Sequence, residues 1–304
     1  MKKITDGLIL MELPFFQFPY CNCLFIEGEI NCLIDSSPPP QDVDFLAGKK
    51  IDLIINSHGH VDHFHRNYDY PKAKVLLHQA DHIYAADGQE YFLQFGFDIY
   101  FPELPAELFL NAIGYKARSA DGTLEEGQIL ELGKHRIQVL HLPGHSAGHC
   151  GFWFTELGIM FTADIDLDRI GPWYGLKPGN IDDFILSIER VRDLYPEAII
   201  TGHGPSPITS DIRSKLAQYR DVIYQREQEI VRLLFRGKST VWEIAKEAPC
   251  YRGRVPKPER VGIVYECMMV EKHLERLIRL GKVIREGERF ALVPGVRPSN
   301  LNTG

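Results

Sequence analysis

Histidine and aspartate recur in this chain where apolar runs stop. His58, His60, Asp62 and His63 form an HxHxDH run directly after IDLIIN; His145 follows RIQVLHLPG, Asp164 follows GIMFTA, and His203 follows AIITG. Two histidines at i and i+2 of an extended segment point the same way and can chelate one ion. A turn at Val61 then lets Asp62 and His63 face a neighbouring position. Neutral imidazole suits a borderline ion such as Zn²⁺, and a carboxylate supplies negative charge or bridges two ions. These seven donors, shared by two divalent ions, leave coordination positions open to water, as a catalytic centre requires. Affinity order and cellular supply can also load iron or manganese on the same donors. His65, His78, His82, His135, His141 and His273 stand alone in the sequence and are given no ligand role.

The elements that must carry these donors are short. CLFIEG and INCLID read as a hairpin turning near Glu27-Gly28-Glu29. IDLIIN, KVLLH, RIQVLHL, GFWFTE, GIMFTA and AIITG are each stopped by Gly, Pro or Asp or run into a polar segment, which is how strands end in loops. Asp182 to Leu194 has helical spacing with acidic residues in its first turn. After Gly204-Pro205-Ser206-Pro207 the character changes. Ile212 to Leu234 traces a long amphipathic helix, Val270 to Ile278 a second one ending at Gly281, and KVIREGERFALV a short hairpin. Helix, turn, helix and hairpin in that order suit a winged-helix-like unit. The expected division is therefore a larger domain over residues 1–210 and a basic, helical extension over 211–304.

HGHVDH, LPGHSAGH, FTADIDL and TGHGP resemble the successive motifs of the metallo-β-lactamase superfamily, and Leu33-Ile34-Asp35-Ser36 resembles its early turn. The resemblance covers roughly residues 8–210. It implies an α/β fold, an αββα sandwich with metals at one edge. By it, His58, His60 and His145 bind one ion, Asp62, His63 and His203 the other, and Asp164 bridges them, with Asp35 supporting the ligands. β-Lactamases that use Cys at the second metal carry it near the position of Asp164; flavodiiron proteins carry Glu where His60 stands. Only 38 residues separate Asp164 from His203, too few for the inserted domain of the β-CASP nucleases. The layout looks most like glyoxalase II-like hydrolases with a C-terminal winged-helix-like extension, a group that includes a single-strand-specific endoribonuclease. The glutathione-binding Arg/Lys pattern of glyoxalase II has no clear match.

Two cations lower the pKa of a water between them, so hydroxide forms without a strong protein base. Asp62 is read as both ligand and acceptor of the water's proton. His149, four residues past His145, is read as a support for the ligands or a proton donor. Phe16 and Phe18, before the first hairpin, and Trp173 and Tyr174, after Asp164, are candidate pocket walls. Aromatic walls favour acyl chains, thioesters, lactone rings or stacked bases. The aromatic stretch from Tyr84 to Phe109 reads as packing of an inserted helical segment rather than a lid or a homodimer contact.

Composition bounds the rest. The chain has 304 residues, 44% hydrophobic and 25% charged with a net charge of −7, which excludes a disordered or fibrous protein. The opening MKKITDGLILMEL is broken by Asp6 and Glu12 and has no cleavage site, and no run approaches the ~18 apolar residues of a membrane span. A cytoplasmic location without membrane association is the expectation. Six cysteines in no spaced pattern read as reduced, packing thiols. Residues 1–210 hold 15 basic and 29 acidic side chains against 19 and 12 in the remainder. The basic tail is the one cue for a nucleic-acid partner. The leading expectation is a dinuclear zinc-type hydrolase of small ester-like substrates such as thioesters or lactones. Endoribonuclease-type cleavage is the alternative, and a non-catalytic DNA-binding or sensor protein the third reading.

Overall fold

The computed structural model describes residues 1–298. Seven strands form the first sheet in chain order: β1 (Lys2–Thr5), β2 (Leu8–Met11), β3 (Cys23–Ile26), β4 (Cys32–Ile34), β5 (Leu53–Ile55), β6 (Lys74–His78) and β7 (Gly122–Leu124). β1 to β4 are joined antiparallel, whereas β4 to β7 run parallel, so the carboxyl ends of β4, β5 and β6 open at one edge. The second sheet has the order β12-β11-β10-β9-β8, from β8 (Ile129–Leu132), β9 (His135–His141), β10 (Cys150–Phe154), β11 (Ile159–Ala163) and β12 (Ala198–Thr201). β11 and β12 are parallel and the other pairs antiparallel.

Side-chain alternation sorts each strand between two layers. Leu24 and Ile26 face Phe152, Phe161 and Ile200 in the apolar seam between the sheets. Cys23 and Phe25, one residue out of phase, pack outward with Leu46 of α1 (Val43–Ala47). Met160 likewise turns from Phe161 to the outer face, onto α7 (Ile181–Asp193). That helix buries Ile181, Phe184, Ile188 and Val191; Asn180 caps it by accepting from the amides of Asp182 and Asp183, and Arg190 and Arg192 lie in its last turn. With helices outside both sheets, the architecture is the expected αββα sandwich.

The one-turn α2 (Val61–Phe64) follows β5, and the segment after β6 coils into α3 (His82–Ala86), α4 (Gly88–Leu93), α5 (Phe97–Tyr100) and α6 (Ala106–Ala112). Tyr91, Phe92, Phe95, Phe97 and Phe109 are buried there in one cluster with Val264 and Met268, so the aromatic stretch is packing. Beyond residue 211 come α8 (Ile212–Phe235), α9 (Val241–Ala245), α10 (Glu259–Arg279) and the hairpin β13 (Val283–Glu286) and β14 (Arg289–Leu292). Their buried residues, Leu216, Ile223, Val270, Leu274 and Phe290 among them, share one cluster with Met160 and α7. This C-terminal region is seated on the outer face of the second sheet.

Two features depart from the sequence reading. β1, β2, β7 and β8 were not anticipated as strands: most are edge or polar segments of three or four residues with little pattern. The second long helix begins at Glu259, not near Val270. Pro258 stands at its N-cap, and a Cβ on Gly262 would lie 2.0 Å from the Pro256 carbonyl. All six cysteines are unpaired and buried as expected. No described helix is long and apolar enough to cross a membrane.

Candidate metal centre

The loops after β5, β9, β11 and β12 converge on one edge of the sandwich. After β5 the chain bends through His58 and is extended at His60; α2 then starts, placing Asp62 and His63 on its only turn. His145 lies in the loop from β9 to β10, Asp164 directly after β11 and His203 just beyond β12. Ala163, before Asp164, has φ +44° and Asp35 has φ +55°, so both flanking turns sit in left-handed backbone. Gly202 is needed for a separate reason: a Cβ there would lie 2.6 Å from Oδ1 of Asp164.

The structure brings all seven sequence-assigned donors together, in two groups. His58 Nε2, His60 Nδ1 and His145 Nε2 lie 2.8–3.2 Å from one another. Asp62, His63 and His203 form the second group, with Asp62 Oδ2 3.4 Å from His203 Nε2. Asp164 stands between them. Its Oδ2 is 3.1 Å from His145 Nε2, while its Oδ1 is 3.0 Å from His63 Nε2 and 3.6 Å from His203 Nε2. A further grouping of Cys21, Asp35 and His63 uses the His63 nitrogen that Asp35 already holds.

Two of the imidazoles are aimed by a partner behind them, and the loops around them are pinned by others. Nδ1 of His63 meets Asp35 Oδ2 at 2.8 Å, and Asp35 also accepts from the amide and hydroxyl of Ser57. Nδ1 of His145 donates to the Trp173 carbonyl at 2.8 Å, which leaves Nε2 as the lone-pair nitrogen facing the cluster. The His203 amide donates to Asp166 Oδ1. Asp81 accepts from the amides of Gly59 and Gly148 and from the Ser146 hydroxyl, and so pins the two histidine loops together. Asp81 and Asp166 were missed by sequence reasoning. Asp166 sits two residues past a ligand, which is a faint signal; Asp81 lies in HQAD with none.

His149 is corrected here. Its Nδ1 donates to the Leu142 carbonyl and its Nε2 accepts from the amide of Asp164, so the ring has no N–H left to give a substrate. Burial, with His145 nearby, pushes its pKa down to about 3, so the ring is neutral. It holds the backbone of Asp164 in place. Tyr174 is the second correction: it is fully buried, and its hydroxyl bonds Nε2 of His273 and accepts from Arg226, on the side away from the metal edge. Trp173 does reach the site, its ring centroid 5.7 Å from that of His145 and 6.0 Å from that of His60. Phe16 meets His203 edge-on at 4.9 Å. Phe18 is 43% exposed beside the Gln17–Tyr20 bridge, and among the described residues it makes no ring contact with the ligand histidines.

Electrostatics and unsatisfied atoms both fit cations. Burial, reinforced by neighbouring imidazoles, holds His58 and His60 well below the ordinary imidazole pKa, in the neutral form that binds metal. At His63 burial opposes the charge, but Asp164 and Asp35 outweigh it and raise the pKa well above the usual value. For Asp164 burial is likewise overcome by His63, His145 and His203, and the carboxylate stays ionised. His60 Nε2, His63 Nε2, Asp164 Oδ1 and both ring nitrogens of His203 are buried without a hydrogen-bond partner; the 3.0 Å approach of His63 to Asp164 is not aligned as one. Convergent lone pairs, one shared carboxylate and orphaned nitrogens form a donor set suited to divalent ions.

Comparison with known proteins agrees. Residues 17–203 match the family profile of the Metallo-beta-lactamase superfamily. The chain is 34% identical over 169 residues to a hydroxyacylglutathione hydrolase of Chelativorans sp., a match spanning 55% of this chain and 61% of that relative, less than two thirds of its length. It is 24% identical over 207 residues to an acyl-coenzyme A thioesterase of Homo sapiens, covering 66% of this chain and 67% of the relative. Among solved structures, a metallo-beta-lactamase family protein from Thermus thermophilus is similar over 96% of this chain and all of its own, with a TM-score of 0.77 and 22% identity. A beta-lactamase domain protein from Burkholderia ambifaria gives a TM-score of 0.68 at 18% identity, over 96% of this chain and 93% of its own. These two likenesses speak for the fold.

Proposed function

Because the chain belongs to the metallo-β-lactamase superfamily of metal-dependent hydrolases, we propose that it is a dinuclear hydrolase of small thioesters, with Zn²⁺ as the ion its imidazole-rich donors favour. The observation that carries this reading is Asp164, one carboxylate with an oxygen turned to each donor group. The relatives named as a hydroxyacylglutathione hydrolase and an acyl-coenzyme A thioesterase support the substrate class.

His58, His60 and His145 would hold one ion, Asp62, His63 and His203 the other, and Asp164 both. Ions bound there would supply Lewis acidity to the scissile carbonyl and acidify water to a pKa near 7. Asp62 lies at the edge of the cluster with its side chain 12% exposed, so its carboxylate is the group able to accept the proton of an attacking water. Phe16 beside His203 and Trp173 beside His60 and His145 flank the donors, and their faces would exclude bulk water from an acyl group lying between.

The nucleic-acid reading stays the alternative, although part of the basic tail is paired within the chain. Arg276 and Arg279 pair with Asp182, Arg232 with Glu229 and Lys238 with Glu247, so these tail cations are engaged within the chain. The deciding experiment follows free thiol release from S-lactoylglutathione and from acyl-coenzyme A esters by the metal-loaded protein, with single-stranded RNA as a parallel substrate. Thiol release that disappears in Asp164→Asn is expected. RNA cleavage with no thiol release would replace the thioester reading.

A further inference from the structure

Arg226, in the middle of α8, is 3% exposed, and its guanidinium has no carboxylate among its hydrogen-bond partners. A buried cation without a paired anion is costly unless its donors are all spent on well-placed acceptors. Here they are. Nε donates to the Cys250 carbonyl at 3.0 Å, Nη1 to the Pro172 carbonyl and, at 3.2 Å, to the Tyr174 hydroxyl, and Nη2 to the Ile170 carbonyl at 2.6 Å. Three of these four acceptors lie in the 170–174 loop, two of them on the neighbours of Trp173, whose own carbonyl receives the Nδ1 proton of His145. The fourth is on Cys250, the neighbour of Tyr251, whose hydroxyl accepts from the Trp173 indole at 2.7 Å. The guanidinium thus grips the backbone ahead of Trp173 and the Tyr174 side chain after it, while Tyr251 holds the indole.

We propose that Arg226 is a positioning residue for the metal centre: by clamping the 170–174 loop it fixes the Trp173 carbonyl that orients His145, so the C-terminal region governs metal affinity at the His58–His60–His145 position. The chain of contacts is short, from guanidinium to loop carbonyls, from the loop to His145 Nδ1, and from the same ring to the cluster. Loosening the loop frees the imidazole to rotate or change tautomer, and such supporting contacts are typically worth 10–100-fold in metal affinity. The role also accounts for a guanidinium buried in mid-helix without a carboxylate bonded to it.

The inference rests on the ligand assignment above. Its test is competition between the protein and a chromophoric chelator for Zn²⁺, with Co²⁺ absorption reporting the geometry of each position. In Arg226→Met, one of two equivalents should weaken by about 10–100-fold and the other should hold, with Arg226→Lys in between. Folded Arg226→Met that binds both equivalents like wild type would overturn the proposal and leave the ligand assignment standing. Wild-type protein that binds no metal would instead overturn the assignment. Hydrogen exchange on the wild-type chain serves where the variants do not fold. Stripping the metal should speed exchange in residues 170–174, because coupling between loop and metal is reciprocal. Unchanged exchange there would overturn the proposal as well.

Discussion

Asp35 Oδ2 lies 2.8 Å from Nδ1 of His63, and both side chains are completely buried. The contact fixes which nitrogen of His63 carries the proton and leaves Nε2 for the ion, so the early turn of the chain governs a ligand 28 residues further on. Asp35→Asn should weaken one metal equivalent by about 10–100-fold, read by chelator competition. Wild-type affinity in this variant would show that the pair serves folding alone.

Asp164 has no substitute as the carboxylate between the two donor groups. Asp164→Asn keeps the shape and removes the charge. Thiol release should fall by a factor of at least about 10³, since losing a single key electrostatic group commonly costs 10²–10³ and this one would also serve both proposed metal positions. Turnover within tenfold of wild type would remove the bridging role.

His58 is fully buried among donors of the first group, and its removal leaves that position with two imidazoles. His58→Ala should purify with about one equivalent of metal less than wild type by elemental analysis. Two equivalents in the variant would mean that the first group is not a metal site.

Glu227 offers a pH signature away from the metal edge. Burial raises its pKa, but His273 and Arg276 outweigh burial and hold the carboxyl below its ordinary value. A depressed folded pKa contributes stability that is present above the unfolded value, near 4.3, and is lost as pH falls through the lower folded one. Urea unfolding from pH 6 to pH 3 should therefore lose stability more steeply in wild type than in Glu227→Gln. Parallel curves would dismiss the linkage.

The clustering of the donors was legible because metal chemistry restricts residue type and because each donor follows a recognisable strand end. The seam strands were legible for the same reason that Leu24 and Phe161 are buried: apolar runs stopped by turn residues. What stayed hidden had no local signature. Asp81 reaches Gly148 across 67 residues, a contact set by how two loops meet. His149 resembles a ligand by spacing, yet its ring is consumed by backbone at Leu142 and Asp164. Tyr174 looked like a pocket wall because it adjoins Trp173, but adjacent residues of the loop point opposite ways and only one faces the donors. The first turns of α10, from Glu259 on, carry too little apolar periodicity to have been joined to the run that starts at Val270.

The donors come from both sheets: His58, His60, Asp62 and His63 follow a strand of the first, and His145, Asp164 and His203 follow strands of the second. Bound ions would therefore rivet two slabs otherwise held by an oily seam and a few bridges, such as Asn22 reaching the Thr201 and Gly204 carbonyls. Ligand binding to the native state alone adds about 2.7 kcal/mol when free ligand exceeds Kd a hundredfold. The melting temperature of a preparation then becomes a gauge of its ion content, and partly loaded samples would melt as mixtures rather than as a single species.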